Sequence, residues 1–400
     1  MTQNQEDTYK TPQSLINKEE FSQILQQKFP KLEFAFGYGS GVFAQTSYDY
    51  SDKKKNPMID LIFVVDDVEE FHSENLKLNP SHYSGLGKIF GSKYLEFLQK
   101  HIIPIHFNPM IQLTDDIQIK YGVIEKRKFI RDLTNWDTLI CAGRLHKPVK
   151  ILINNDVDGK IQEALWQNLV SATSVSFLLN YEEIMQGIPE EEQHQKKTTK
   201  NNQKNKKQEQ QQQQGKYKNP FEKFVVQDSY QDTQQQFNQI MDTMLFFSTV
   251  ASISYVGDVR YKVGAENQNK VQNIIEGNYE NFDKLYREVF KLNPLPEICK
   301  FSDQYIDEIE LNLQKEDNIN KLIQSIPVRL ATEFTGVEKD CYESLNRIHP
   351  KDVAKALSDS IKKKNGFYSK RMVIYNALST SLIKNGVYVI QKLKKGILKR

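Results

Sequence analysis

The chain has 400 residues, 38% hydrophobic and 11% aromatic against 26% charged, which is enough to bury a sizeable core and excludes both a wholly disordered polymer and a small disulfide scaffold. Its net charge of +3 hides an asymmetry: residues 361–400 hold nine lysines, two arginines and no acid, so the remainder carries −8. No window of about eighteen apolar residues is free of charge, which excludes a membrane-spanning helix. Cys141, Cys299 and Cys341 are widely spaced, with no C-x-x-C pair and no H-E-x-x-H run, so the sequence offers no zinc site and fits a reducing compartment. The acid-bearing N-terminus MTQNQEDTYK lacks the pattern of a transit peptide or secretion signal.

Apolar positions from Leu15 to Phe29 recur at helical spacing, and Pro30 ends them. The aromatic run Glu33 to Tyr38 reads as a strand entering the tight turn Gly39-Ser40-Gly41, and MIDLIFVV at 58–65 reads as a second strand. A polar loop, SYDYSDKKKNP, joins them. Runs at 103–113 and 117–124 form further strands joined by a hairpin turn at Thr114-Asp115-Asp116, flanked by helices at 93–102 and 125–133. Residues 14–152 thus make one mixed α/β unit. Long helices are expected at about 159–186, 221–256 and 266–291. Between them, 193–214 has no apolar side chain and cannot offset its ordering entropy, so it reads as a disordered insertion.

Asp60 is the most informative residue. A carboxylate among Ile59, Leu61, Ile62 and Phe63 is costly to bury unless a cation or a set of donors compensates it. A divalent metal is one answer; a hydrogen-bonded strand end is the other, and the residue alone leaves both open. In GYGSG at 37–41, small residues let backbone N–H groups approach a phosphate, and Ser40 adds a donor. This turn lacks a P-loop lysine and does not match the dinucleotide fingerprint.

Strand, Gly-Ser turn, and a following strand with an inward acid together resemble the nucleotidyltransferase superfamily of DNA polymerase β. In that superfamily a second acid follows two residues after the first, where this chain has Ile62; Asp67 or Asp66 would have to replace it, or Asp60 would share its ion with the triphosphate. The blocks FHSENLKLNPSHYS (71–84), IKYGV with Lys120 and Tyr121, WDTLICAGRLHKPVKIL with Arg144, Lys147 and Lys150, and YVGDVRYKVGAEN (255–267) resemble the mitochondrial CDP-diacylglycerol synthase family, also called translocator assembly and maintenance proteins. That resemblance implies an α/β nucleotidyltransferase-like domain with a mixed sheet at 14–152, a mainly helical, winged-helix-like unit at 153–295, and a helical region at 296–400.

The resemblance further implies transfer of CMP from CTP to phosphatidic acid with Mg²⁺, giving CDP-diacylglycerol for cardiolipin synthesis at the matrix face of the mitochondrial inner membrane. Gly39, Ser40 and Gly41 would cradle the triphosphate, with Tyr121 beside the nucleotide. Asp60 and Asp67 would bind the metal, and Lys120, Arg144, Lys147 and Lys150 would neutralise phosphates. Of these, Asp60, Ser40, Lys120 and Arg144 are the expected catalytic residues. His72 and His82 are expected to pack or hydrogen-bond, and Asp258 to pair with Arg260. Two competing readings are a nucleotidyltransferase acting on RNA or tRNA and a non-catalytic translocase assembly factor.

From Leu378 the apolar residues Leu382, Val389, Leu393 and Ile397 alternate with Lys384, Lys392, Lys394, Lys395 and Lys399 as in a basic amphipathic helix. Such a helix is expected to hold the protein peripherally on an anionic membrane surface, with no nucleic-acid partner.

Overall fold

The computed structural model describes residues 17–43, 58–186, 239–262, 267, 269–305, 307–337 and 339–379. The insertion expected at 193–214, the loop at 47–57, residues 221–238 of an expected helix and residues 380–400 of the basic tail lie outside the described residues. Helix α1 (Lys18–Lys28) begins after Asn17, whose side chain accepts from the N–H groups of Glu19 and Glu20. Next come β1 (Phe34–Tyr38), β2 (Ile59–Val65), α2 (Val68–Leu78), α3 (Gly85–His101), β3 (Ile105–Gln112), β4 (Gln118–Glu125), α4 (Lys126–Asn135), α5 (Ala142–Leu145) and β5 (Lys150–Asn154). The five strands form a mixed sheet in the order β3-β4-β2-β1-β5, in which β2 and β4 run parallel and the other neighbours antiparallel.

Strand pleat sends alternate side chains to opposite faces, and the register makes the two faces different. On the first, Phe34, Phe36, Ile62 and Val64 pack against Phe129, Leu133 and Trp136. The same core continues without a break into Phe246, Tyr286, Ile309 and Tyr375 of the helical part. On the second, Leu61, Phe63, Val65 and Tyr121 pack against Phe21 and Leu25 of α1 and Val68 and Phe71 of α2.

The remaining elements are α6 (Lys160–Leu179), α7 (Tyr181–Gln186), β6 (Gln239–Asp242), α8 (Thr243–Ser252), α9 (Val259–Lys262), α10 (Lys270–Glu276), α11 (Tyr279–Val289), β7 (Cys299–Phe301), β8 (Glu308–Leu311), α12 (Glu316–Gln324), α13 (Val328–Thr335), α14 (Cys341–Asn346) and α15 (Pro350–Ser379). All three expected long helices are interrupted, the one at 159–186 at Asn180 between α6 and α7. The one at 221–256 has a strand before Thr243, because the Asp242 carboxylate accepts from the N–H groups of Met244 and Leu245 and so caps α8 there. The one at 266–291 breaks at Gly277-Asn278, where the Asn278 amide turns back to the Ile274 carbonyl. A second sheet, β6-β8-β7, was not expected. It pairs β6 with β8, so the boundary placed at 295/296 falls inside one sheet.

Helix α15 straps the two parts together. Its Asn365 amide donates to the carbonyls of Ile253 and Val256, its Ser369 hydroxyl accepts from the Val259 N–H, and its buried Tyr375 bonds His106 of β3 at 2.8 Å. All three cysteines are buried free thiols, and no helix among the described residues is long and apolar enough to cross a membrane.

Candidate active site

The register aligns Tyr38, Asp60 and Lys120 side by side across β1, β2 and β4 on the first face. The turn after β1 closes over them. Gly39 has φ +77 and accepts at its carbonyl from the N–H groups of Val42 and Phe43, a backbone that an L side chain would strain. A Cβ at Gly39 would stand 3.7 Å from Asp60 Oδ2, so the expected facing of turn and acid is present. Ser40 is half-buried within this turn. At Gly41 a Cβ would meet the Met58 carbonyl at 2.6 Å, which leaves room only for glycine.

Asp60 Oδ1 is buried and accepts no hydrogen bond, although the Lys120 ammonium lies 3.4 Å away. Lys120 Nζ also sits 4.8 Å from the Phe107 ring centroid, and the Arg144 guanidinium covers the same ring at 5.8 Å and the Tyr38 ring at 5.0 Å. Phe107 thus spaces two cations along the face that carries Asp60.

Arg144 stands on the one-turn helix α5, and a buried acid fixes that helix. The Asp132 carboxylate accepts from the N–H groups of Thr138 (2.6 Å), Leu139 (2.9 Å), Cys141 (2.7 Å) and Ala142 (3.2 Å), and from the Thr138 hydroxyl (2.8 Å). Arg144 Nη1 donates back to the Ile140 carbonyl in the same turn, while its Nε is buried without a partner. Gly143 lets α5 press against the loop after α8, since a Cβ there would meet Ser254 Cβ at 2.2 Å.

Lys147 extends the row. Its ammonium donates to the Gly143 carbonyl and to Ser254 Oγ (3.0 Å) and lies 4.9 Å from the Tyr255 ring, and Lys270 lies 5.1 Å from the same ring. Burial, and then the charges of Arg144 and Lys270, hold the Lys147 ammonium well below lysine's ordinary pKa. Arg260 is close enough to Arg144 to oppose its charge and is paired with Asp258 through Nε at 3.0 and 3.1 Å. Lys120 and Arg260 thus have the acids Asp60 and Asp258 beside them, while Arg144 and Lys147 are held by uncharged partners alone, a costly arrangement in a folded protein unless a polyanion completes it.

Three expected residues do not join this group. Tyr121 pairs with Leu61 and so points to the second face, where it is fully buried, stacked on Phe63, and bonded by the Asn75 amide (2.9 Å) and His82 (2.9 Å). Lys150 pairs with Gly37, one residue out of phase with Tyr38, and its charge is felt by Glu19 and Lys18 of α1. Asp67 caps α2 by accepting from the Glu70 N–H at 2.8 Å; it lies seven residues beyond Asp60, at the far end of β2 and roughly 20 Å away by strand rise. Neither it nor the adjacent Asp66 shares an ion with Asp60, and no cluster of three or more His, Cys, Asp or Glu side chains suited to a metal exists among the described residues.

His72 is completely buried between Tyr83 (2.9 Å) and Gln99 (2.8 Å), and burial pushes its pKa down to about 4. It belongs to the second face, as a packing residue. Sequence reasoning missed Asp132, Phe107, Tyr38 and Lys270. The first looked like an ordinary helix residue, and the others join the site only through sheet register or a contact between distant segments.

A family model described as mitochondrial phosphatidate cytidylyltransferase matches residues 21–193 and 233–395. The chain belongs to this family. The mitochondrial phosphatidate cytidylyltransferase of Schizosaccharomyces pombe is 30% identical over 401 residues, covering 96% of this chain and 85% of that protein. Those of Saccharomyces cerevisiae and Homo sapiens are 33% and 34% identical over 64% and 68% of this chain. These two matches span about half of each relative, 51% and 47%. The family supplies the reaction against which the cation row has to be judged.

Proposed function

We propose that this protein is the enzyme its family describes: a phosphatidate cytidylyltransferase that joins CTP and phosphatidic acid into CDP-diacylglycerol and pyrophosphate. The observation that carries this reading is the row Lys120, Arg144 and Lys147 running away from Asp60, whose Oδ1 takes no hydrogen bond and faces the Lys120 ammonium at 3.4 Å, under the Gly39–Gly41 turn. The reaction brings two polyanions together. An oxygen of the lipid phosphate attacks the α-phosphorus of CTP, a new P–O bond forms, and the bond to the bridging oxygen breaks to release pyrophosphate. Neutralising and aligning those charges is most of the catalytic task, and a phosphate monoester already ionised near neutral pH needs no strong base.

The polymerase-β-like nucleotidyltransferase reading of the first sheet gives each residue its part. The backbone of Gly39, Ser40 and Gly41 and the Ser40 hydroxyl hold the triphosphate; Lys120, Arg144 and Lys147 draw charge from the phosphates. The helical part with its three-stranded sheet is read as winged-helix-like. Mg²⁺ fits the residues present in one way. Asp60 offers a buried oxygen without a hydrogen bond, and a single carboxylate suffices when substrate phosphates share the ion. When bound, the ion supplies further neutralisation of the triphosphate. The product would enter cardiolipin synthesis, with the protein held peripherally on the matrix side of the mitochondrial inner membrane and the basic segment 361–400, which begins within α15, as its anchor.

The test is direct. Purified full-length protein is incubated with labelled CTP, phosphatidic acid and Mg²⁺. CDP-diacylglycerol is expected to form, and Asp60→Ala to lower kcat/KM by about 10²–10³-fold with an unchanged thermal midpoint. Label appearing in RNA and not in lipid, or no label transferred at all, would give the reaction to the competing readings.

A further inference from the structure

Helix α3 is broken at Gly91, where φ is +72 and ψ −165, and the break leaves an apolar knuckle in water. Ile89 is 74% exposed, Phe90 60% and Phe97 56%. Phe90, Tyr94, Phe97 and His101 follow one another along one side of the helix, with ring centroids 5.4 Å apart for the first pair and 4.5 Å for the last. Helix α15 runs antiparallel beside it: Tyr94 Oη donates to the Leu378 carbonyl at 3.3 Å and Arg371 Nη2 to the His101 carbonyl at 2.8 Å. There Val373 and Ile374 are 56% and 55% exposed, and Leu378 is 39% exposed. The neighbouring Tyr375 is fully buried against His106, so α15 already spends one side on the core and still shows an apolar side outward.

Two adjoining stripes of this kind form a larger patch than scattered surface leucines produce, and such patches mark interaction sites. The charges around it select the occupant. Lys88, Lys93 and Lys100 on α3 and Lys370 and Arg371 on α15 rim the patch; Glu96 is the one acid between 85 and 101, and none occurs from 361 to 379. A second copy would bring this basic rim against itself in a two-fold interface. Residues 380–400 are equally basic and acid-free, which disfavours them as a cover. An anionic bilayer matches both parts of the surface, taking aromatic and aliphatic side chains into its interfacial zone and lysines at its headgroups.

We propose that the outer faces of α3 and α15 form a membrane-seating surface in addition to the C-terminal tail. The inference rests on the proposed reaction only in that the bilayer holds the lipid substrate. Tyr375 reaches His106 on edge strand β3, so the surface lies at that edge of the sheet; the next residue, Phe107, points to the opposite face, which carries Asp60 and Lys120.

The experiment compares full-length protein with the double variants Ile89→Ser/Phe90→Ser and Val373→Ser/Ile374→Ser, all at exposed positions, in flotation with phosphatidylcholine vesicles containing or lacking phosphatidic acid. Each variant is expected to lose at least about tenfold in partition onto the anionic vesicles, because two apolar side chains no longer insert. CTP affinity, thermal midpoint and turnover of a short-chain, water-soluble phosphatidate are expected to stay unchanged. Wild-type vesicle binding by both variants would overturn the proposal, as would conversion of a dimer to monomer with vesicle binding intact. If the wild type transferred no cytidylyl group yet the variants still lost vesicle binding, the reaction would fail and the seating surface would stand.

Discussion

The two faces of the first sheet carry polar side chains in opposite ways. On one, Arg144 and Lys147 are held by aromatic rings, carbonyls and a hydroxyl, and Asp60 Oδ1 takes no hydrogen bond, with the Lys120 ammonium 3.4 Å away. On the other, His72, Asn75, Tyr83, Gln99 and Tyr121 hydrogen-bond one another inside a closed network, and burial lowers the pKa of His72 to about 4. Both arrangements put polar groups where water is scarce. Only the second gains stability from doing so, because its donors and acceptors are matched and neutral. The first leaves like charges close together, which makes sense as a site whose missing partner is a ligand.

The largest effect that tests this contrast comes from removing Arg144. Arg144→Met is expected to lower kcat/KM by about 10²–10³-fold, some 3–4 kcal/mol of transition-state stabilisation, because a phosphate clamp is lost. Arg144→Lys should recover little, since an ammonium cannot make two parallel bonds. The thermal midpoint of either variant should move by only a few degrees, as a like-charge neighbour has been removed along with one bond to Ile140. A midpoint collapse with full activity in the remaining folded fraction would make Arg144 a structural staple and erase the contrast.

The opposite face should respond the other way. Tyr121→Phe removes the oxygen that accepts from the Asn75 amide and meets His82, leaving buried polar groups unsatisfied at a cost of about 1–3 kcal/mol. Denaturant titration should show that loss, while CTP affinity and kcat/KM stay within about twofold. A selective rise in KM for CTP at unchanged stability would return Tyr121 to the nucleotide site.

Much of this was legible before any coordinates. The Gly-Ser turn, the inward Asp60 and the alternating strands are local patterns, and local patterns survive folding because pleat and turn chemistry impose them. Arg144 and Lys147 were found by their setting in a block of sequence. What failed was anything that depends on phase or on distant contacts. Tyr121 sits one residue from Lys120, and that single step puts it on the other side of the sheet. Asp67 looked near Asp60 in sequence and is separated from it by the length of a strand. Tyr255 reaches the site because α15, through Asn365 and Ser369, holds the loop after α8 beside α5, a contact between segments more than 100 residues apart, and Lys270 joins it from α10.

The smallest expected effect probes the charged face most finely. In the ligand-free site, burial together with Arg144 and Lys270 lowers the Lys147 pKa, so its ammonium gives up its proton at a lower pH than an ordinary lysine. A bound phosphate adds opposite charge beside it and raises that pKa again. The protonated form therefore binds the anion more tightly, and between the two pKa values complex formation must take up protons. The sign follows: apparent affinity for CTP falls as pH rises through this window, and the proton count is positive. Calorimetric titration of CTP in buffers of different ionisation enthalpy, at a series of pH values below lysine's ordinary pKa, should report uptake of a fraction of a proton. Lys147→Met should bind more weakly and lose that buffer dependence. Proton release on binding, or a buffer dependence that survives the substitution, would mean that Lys147 does not face the phosphates.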